Sequence, residues 1–249
     1  MKKRTVALLA VTFLAAGCME KKLQQQVEES YPSGAKKKEV YYYDKTGSKD
    51  IVRAVYYFED GSLQSDGYFK GGKPDSIEVI NFQGGRRFKE AFYRAGIKDG
   101  REAFWFENGQ LQSETFYKNN IVQGTSVTFF DNGKTQSIQH FSVDGKKDGV
   151  DTTWFANGVV KHVVTYVAGV MTGIEQEFYD NGNQKLAQQY VNAALNGAST
   201  TYFKNGKKDT ESNYVNGVLE GKKISWNESG KKTVEATYKN GEMMEAQMF

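Results

Sequence analysis

The chain has 249 residues, 39% hydrophobic, 25% charged and 14% aromatic, with 26 Gly but only two Pro, one Cys and two His. So few prolines exclude collagen-like and proline-rich disordered chains, one Cys excludes a disulfide scaffold, and a site built from several His and Cys ligands is not available. The apolar content is enough for a folded domain, and abundant Gly among aromatic and β-branched residues points to turns between strands.

Residues 1–17 read as an export signal. Lys2, Lys3 and Arg4 form a basic start, and Val6 to Phe13 is an apolar run too short to span a bilayer. Leu14-Ala15-Ala16-Gly17-Cys18 resembles a bacterial lipobox, with Ala15 where Leu is commonest. That resemblance implies cleavage before Cys18 and lipidation of its sulfur. An ordinary secretory signal with a chance Cys is the alternative, but the chain's one Cys falls at the motif's position. Loss of 1–17 takes 33 basic residues to 30, equal to the 30 acidic ones. A formally neutral mature chain has no field for phosphates, so no nucleic-acid partner is expected. Residues 18–31 then comprise the lipidated Cys and a polar segment with Leu23 and Val27 four apart. That segment reads as a short helix or a loose tether, and its few apolar groups favour the tether.

The remainder, 32–249, is dominated by a repeat. Glycines fall at Gly61, Gly85, Gly109, Gly133, Gly158, Gly182, Gly206 and Gly230, spaced by 24 residues with a single 25. Eight residues after each stands an aromatic, as in Tyr93, Tyr117, Tyr166 and Tyr238. Four before most of them stands another, as in Tyr57, Trp105, Trp154 and Trp226, with Asn81 the exception. A second series, Gly100, Gly124, Gly149, Gly173, Gly197 and Gly221, keeps the period. Tyr31-Pro32-Ser33-Gly34, with Tyr42 eight beyond, is a degenerate ninth copy. Each unit reads as strand, tight turn, strand, second turn. The connections are too short for parallel crossovers, so the fold class is all-β: an elongated, twisted antiparallel meander of about eight hairpin repeats. Sixteen strands at about 4.8 Å spacing make a sheet on the order of 75 Å long. Met243, Met244, Met248 and Phe249 read as a cap on its last strand.

Pro32 sets the turn type. Two residues before Gly34 it could not pair across a two-residue turn, which needs its N–H. It suits the position after the first residue of a type I turn closed by a left-handed glycine. In that turn the residue four before Gly pairs with the residue two after it. Simple alternation then puts Trp105, Ala103, Leu111 and Tyr117 on a core-like face, with Trp154, Val160, Val164 and Tyr166 equivalent. The opposite face carries Gln112, Glu114, Lys185, Gln189, Glu211 and Glu235. It also carries a third aromatic row: Phe58, Phe82, Phe106, Phe130, Phe155, Tyr179 and Phe203.

That row is the candidate binding site. If exposed, a stripe of Phe and Tyr on a polar background suits a protein partner. Coiling of the sheet or the stems of neighbouring Lys and Gln could instead bury it. No catalytic residues are found: there is no nucleophile elbow, P-loop or dinucleotide fingerprint. His140 and His162 fall at different repeat phases and read as incidental, so no metal or other cofactor is expected. Asp66, Glu90, Glu114, Glu211 and Glu235 recur five after the glycine and read as cross-strand pairing rather than acid–base machinery.

Trp105-Phe106-Glu107-Asn108-Gly109 with Ser113-Glu114, and Tyr214-Val215-Asn216-Gly217 with Gly221, resemble the MORN-repeat variant of the YwqK-type antitoxin family. Asn120 and Ala193 stand where that pattern has Gly, Ser76 interrupts the second glycine series, and one extra residue precedes Gly145. The resemblance spans about 31–241 and implies a β-meander binding scaffold. The expected function is a non-enzymatic, envelope-anchored lipoprotein that binds a protein partner and reaches the membrane through Cys18. Met19 rather than Asp after that Cys favours the outer membrane in a double-membrane cell. An antitoxin or immunity protein that neutralises a toxin, and an envelope glycan- or lipid-binding module, are the alternatives.

Overall fold

The computed structural model describes residues 22–45 and 47–249. The export segment 1–17, Cys18 and the start of the tether lie outside the described residues. Within them the chain is all-β, a single sheet of 21 strands in which successive strands pair antiparallel. Two short strands, Ile121–Val122 and Val218–Leu219, are the exceptions: each pairs with the strand before it, Leu111–Lys118 or Lys208–Val215, and is continued along that same neighbour by Gly124–Phe129 or Gly221–Trp226. The sheet also starts earlier than the sequence suggests. Gln24–Ser30, read as tether, is a strand paired with Lys36–Lys45 around the Gly34 turn. Its polar residues find partners across the ladder: Gln25 Nε2 lies 2.7 Å from Glu39 Oε1, and Tyr42 OH 3.2 Å from Gln24 Oε1. A strand poor in apolar groups is held by a neighbour that a single segment cannot reveal.

The glycine turns follow the expected type. Phe106 N–H donates to the Gln110 carbonyl at 2.9 Å, Gly109 N–H donates to the Phe106 carbonyl at 2.9 Å, and Gly109 has φ +86°. The same pair of bonds closes the turn at Gly34, where Pro32 holds the second position. Trp105 stands opposite Leu111, and the same register holds in all eight glycine hairpins, Asn81 opposite Arg87 included.

One residue further on, the expected alternation fails. Phe104 pairs with Ser113, so Gln112 is an extra residue in the second strand. Gln64, Phe88, Gln136, Lys161, Lys185, Asp209 and Thr233 are its equivalents. Such a bulge reverses which face every later residue takes. Tyr117 therefore leaves the face of Trp105 and joins that of Phe104 and Glu102, while Glu114 moves opposite Ala103. Likewise Val164 and Tyr166 lie with Asp151 and Gly149, away from Trp154. The core-like face expected from alternation is thus split between two faces, and the third aromatic row shares its side with the tyrosines eight after each glycine.

The second turns are two-residue hairpins of the mirror type. Asn119 and Asn120 have φ +52° and +66° between the paired Lys118 and Ile121. The extra residue before Gly145 changes this turn's type. Ser142 N–H donates to the Lys146 carbonyl at 2.8 Å and Gly145 N–H to Ser142 at 3.0 Å, the bonds of the glycine-bulge turn. The second glycine series belongs to no turn. Gly100 sits inside a strand opposite Tyr117, at φ +131°, where an added Cβ would meet Phe92 Cβ at 2.9 Å.

No second layer covers the sheet among the described residues. Val40 and Val55 are the largest fully buried side chains, and elsewhere small residues such as Ala91 and Ala103 are buried at strand centres beneath longer neighbours. Cross-strand pairs, rather than a thick core, hold the ladder. The carboxy-terminal segment read as a cap is itself a strand, Glu242–Met248, that covers the edge of Lys232–Lys239. Met243 stands opposite Tyr238, Met248 opposite Val234, and Phe249 N–H donates to the Thr233 carbonyl at 3.0 Å, while the strand's own side chains are exposed.

Candidate functional site: an aromatic groove and a histidine–carboxylate cluster

Each residue of the aromatic row opens a glycine turn, where its backbone N–H and carbonyl are both bonded. All seven, Phe58, Phe82, Phe106, Phe130, Phe155, Tyr179 and Phe203, are half-buried: neither an exposed stripe nor a core. Tyr31, at the equivalent place in the first hairpin, extends the row. Its hydroxyl donates to the Tyr57 carbonyl at 2.9 Å, and Tyr179 OH does the same to Tyr202 at 2.8 Å. Tyrosines in the row therefore tie one hairpin to the next. Phe82 and Phe104 are bridged by the bulge residue Phe88, with ring centroids 5.0 and 5.8 Å apart.

Further along, successive rings are walls of grooves. One of about 670 Å³ lies between Phe106 and Phe130, floored by Gln112, Ser113 and Thr128. A second, about 450 Å³, lies between Phe130 and Phe155. The third and largest, about 760 Å³, lies between Phe155 and Tyr179. The first two present mainly amides and hydroxyls, with one charged residue each, Asp131 and Lys161. The third presents Lys161, His162, Glu175, Glu177, Asp180, Lys185 and Lys204.

On this face a carboxylate seven before the glycine recurs with a lysine partner. Glu102, 6% exposed, lies 2.8 Å from Lys98 Nζ, and Asp151, 5% exposed, 2.7 Å from Lys147 Nζ. The same lysines lie over Tyr117 and Tyr166, 4.6 and 4.7 Å from the ring centres. Burial, and beyond it the Glu102 carboxylate, raises the Tyr117 phenol above its ordinary range although Lys98 opposes the shift.

The unit of Gly182 departs from this arrangement. Glu175 has Met171 where Glu102 has Lys98, and its partner is His162, whose Nε2 lies 2.8 Å from Glu175 Oε1. His162 pairs directly with Glu177 across the strands, and Glu175 is two residues before it on the same face. One ligand atom from each of the three lies within 4.8 Å of the others. Lys185 Nζ holds the Glu177 carboxylate at 2.7 Å. His140 is not brought to this cluster. It lies on the other face, with Nδ1 2.8 Å from the Val150 carbonyl. Reading His162 as incidental overlooked Glu175 and Glu177. Their i, i+2 spacing was visible, but the pairing of His162 with Glu177 depends on a three-against-one bulge at Gly173, Ile174 and Glu175.

The carboxylates five after the glycine make the cross-strand pairs expected of them, on the face of Trp105. Arg53 Nη2 lies 2.6 Å from Asp66, Arg101 bridges Glu90 and Glu114, and Lys222 and Lys232 both hold Glu235. The lysine pairs of Glu235 are solvent-accessible and contribute little each, whereas Arg53–Asp66 and Arg101–Glu90 are partly buried.

No curated protein matches the chain. The three segments 98–119, 195–216 and 219–240, each a strand, a glycine turn and a returning strand, match the MORN repeat variant, and the remaining hairpins share their turn and register.

Proposed function

We propose that the protein is a non-enzymatic, envelope-anchored repeat lipoprotein whose β-meander is a scaffold for a protein partner. Repeats of the matched type are generally modules that bind proteins or lipids. The observation that carries the reading is the chain of grooves walled by Phe106, Phe130, Phe155 and Tyr179. Half-buried aromatic walls with amide and hydroxyl floors give apolar contact area and hydrogen-bond partners along one line, as a peptide or protein edge requires. Anchoring rests on the lipobox-like residues ending at Cys18, and outer-membrane placement on Met19.

The test is crosslinking and capture from intact envelopes. Native protein is compared with the triple variant Phe106→Ser, Phe130→Ser, Phe155→Ser and with the triple Phe→Leu variant at the same positions. Circular dichroism checks the folding of each. A partner captured by native protein and lost from a folded Ser variant supports the reading, and its identity separates a toxin from an envelope component. Equal capture by all three forms overturns the groove as the site. If the Ser variant unfolds, the Leu variant decides, because it removes the flat rings while keeping apolar volume. Mass spectrometry of the amino-terminal peptide tests the anchor: acyl mass on Cys18 supports it, and an uncleaved or unmodified Cys18 overturns it.

A further inference from the structure

We propose that His162, Glu175 and Glu177 form a binding site for a divalent transition-metal ion of the zinc class, at the floor of the groove between Phe155 and Tyr179. The donor set is one imidazole nitrogen and two carboxylates, which suits such ions better than Ca²⁺ or Mg²⁺ with their all-oxygen preference. Ligand atoms in a tetrahedral zinc site lie roughly 2.0–2.2 Å from the metal and so about 3.5 Å from one another. His162 Nε2 and Glu175 Oε1 are already 2.8 Å apart, and the whole set lies within 4.8 Å. Small rotations of the two carboxylates close it around an ion. Three protein ligands leave a fourth position open toward the groove.

Two further observations separate this cluster from ordinary surface ion pairing. First, it departs from its own repeat. Five residues before the turn glycine, where Glu177 stands, the other units have Tyr56, Ile80, Phe104, Thr128, Thr153, Thr201 and Ser225. Four residues after it, where His162 stands, none of the others has a histidine. Both departures meet across one strand pair. Secondly, the charges around it are engaged in a way that leaves the cluster accessible to a cation. Lys204 is 2.6 Å from Asp180, Lys161 lies over the Phe155 ring, and Glu175 has a neutral-capable imidazole where its equivalents have lysine. Among the described residues, Lys185, half-exposed on a flexible stem, competes for Glu177 at 2.7 Å, and Gln188 Nε2 makes a longer, neutral contact of 3.4 Å with Glu175 Oε2.

Calorimetric titration of the full-length chain with Zn²⁺ tests the site, with Co²⁺ absorption as an independent reading of the ligand field. One saturable equivalent is expected. His162→Ala and Glu175→Gln should each weaken it at least ~10-fold. His140→Ala, on the opposite face, should leave it unchanged. Lys185→Met should strengthen it several-fold, an effect that a purely structural ion-pair network would not produce. Bound Zn²⁺ should also raise the melting temperature of native protein but not of Glu177→Gln, which covers the case that His162→Ala folds poorly. Absence of saturable binding, or binding indifferent to His162→Ala and Glu175→Gln, overturns the proposal.

Discussion

Asn157 Nδ2 donates to the backbone carbonyl of Asp180, 2.7 Å away in the next hairpin, while Asn157 Oδ1 accepts from its own turn at Val159 N–H. The same double role recurs at Asn108, Asn132, Asn181 and Asn205, whose amides reach the Asp131, Ala156, Lys204 and Glu228 carbonyls. The Asn-Gly pair is therefore more than a turn signal. It fastens each hairpin tip to the next.

Asn157→Asp isolates that second role, since aspartate keeps the acceptor and loses the donor. The loss should cost about 1–2 kcal/mol in urea denaturation, because the carboxylate then faces a carbonyl. Adding Asn181→Asp should roughly double the cost, as expected of neighbour-coupled repeats. A single variant as stable as native protein would show the inter-repeat bonds to be incidental.

The two glycine series should respond differently to alanine. Gly109 has positive φ but open space around it, so Gly109→Ala should cost about 1–2 kcal/mol for the left-handed backbone alone. At Gly100 the added methyl also meets Phe92 Cβ at 2.9 Å, so Gly100→Ala should cost roughly twice as much. Equal costs, measured by thermal or urea melts, would argue that the strand at Gly100 relaxes freely.

Ala193 occupies the second position of a mirror-type turn at φ +64°, after Asn192 at φ +49°. Ala193→Gly removes this strain and restores the favoured Asn-Gly pair. It should stabilise the protein by about 0.5–1 kcal/mol. An unchanged or lowered melting temperature would mean that flexibility gained in the unfolded chain cancels the relief.

Glu39, 3% exposed, is held down to about 2 by Lys36, with help from Gln25 and Tyr57 against the cost of burial. Its folded value lies below its ordinary 4.5, so its contribution is fully present above about pH 4.5. It is lost as pH falls toward 2. Glu39→Gln should lower stability at neutral pH by on the order of 2 kcal/mol and flatten the decline through that window. Parallel acid-denaturation curves for native protein and variant would refute the assignment.

The sequence by itself determined the period, the antiparallel meander and the glycine-bulge turn. It also determined the pairing of Trp105 with Leu111 and its equivalents, because these depend on turn chemistry within a few residues: Pro32, the left-handed glycines and the short connections. What it could not carry was the face each residue takes beyond the turn. The bulge position is filled by Gln112, Phe88, Lys161 and Thr233, residues with no shared chemistry, since a bulge is set by how two strands twist against each other. One such residue moved Tyr117 and Glu114 to the faces opposite those that alternation assigns. The groove and the His162–Glu175–Glu177 cluster were hidden for the same reason. Both arise between repeats, where register is decided by bulges in neighbouring strands, and only the assembled sheet brings those residues together.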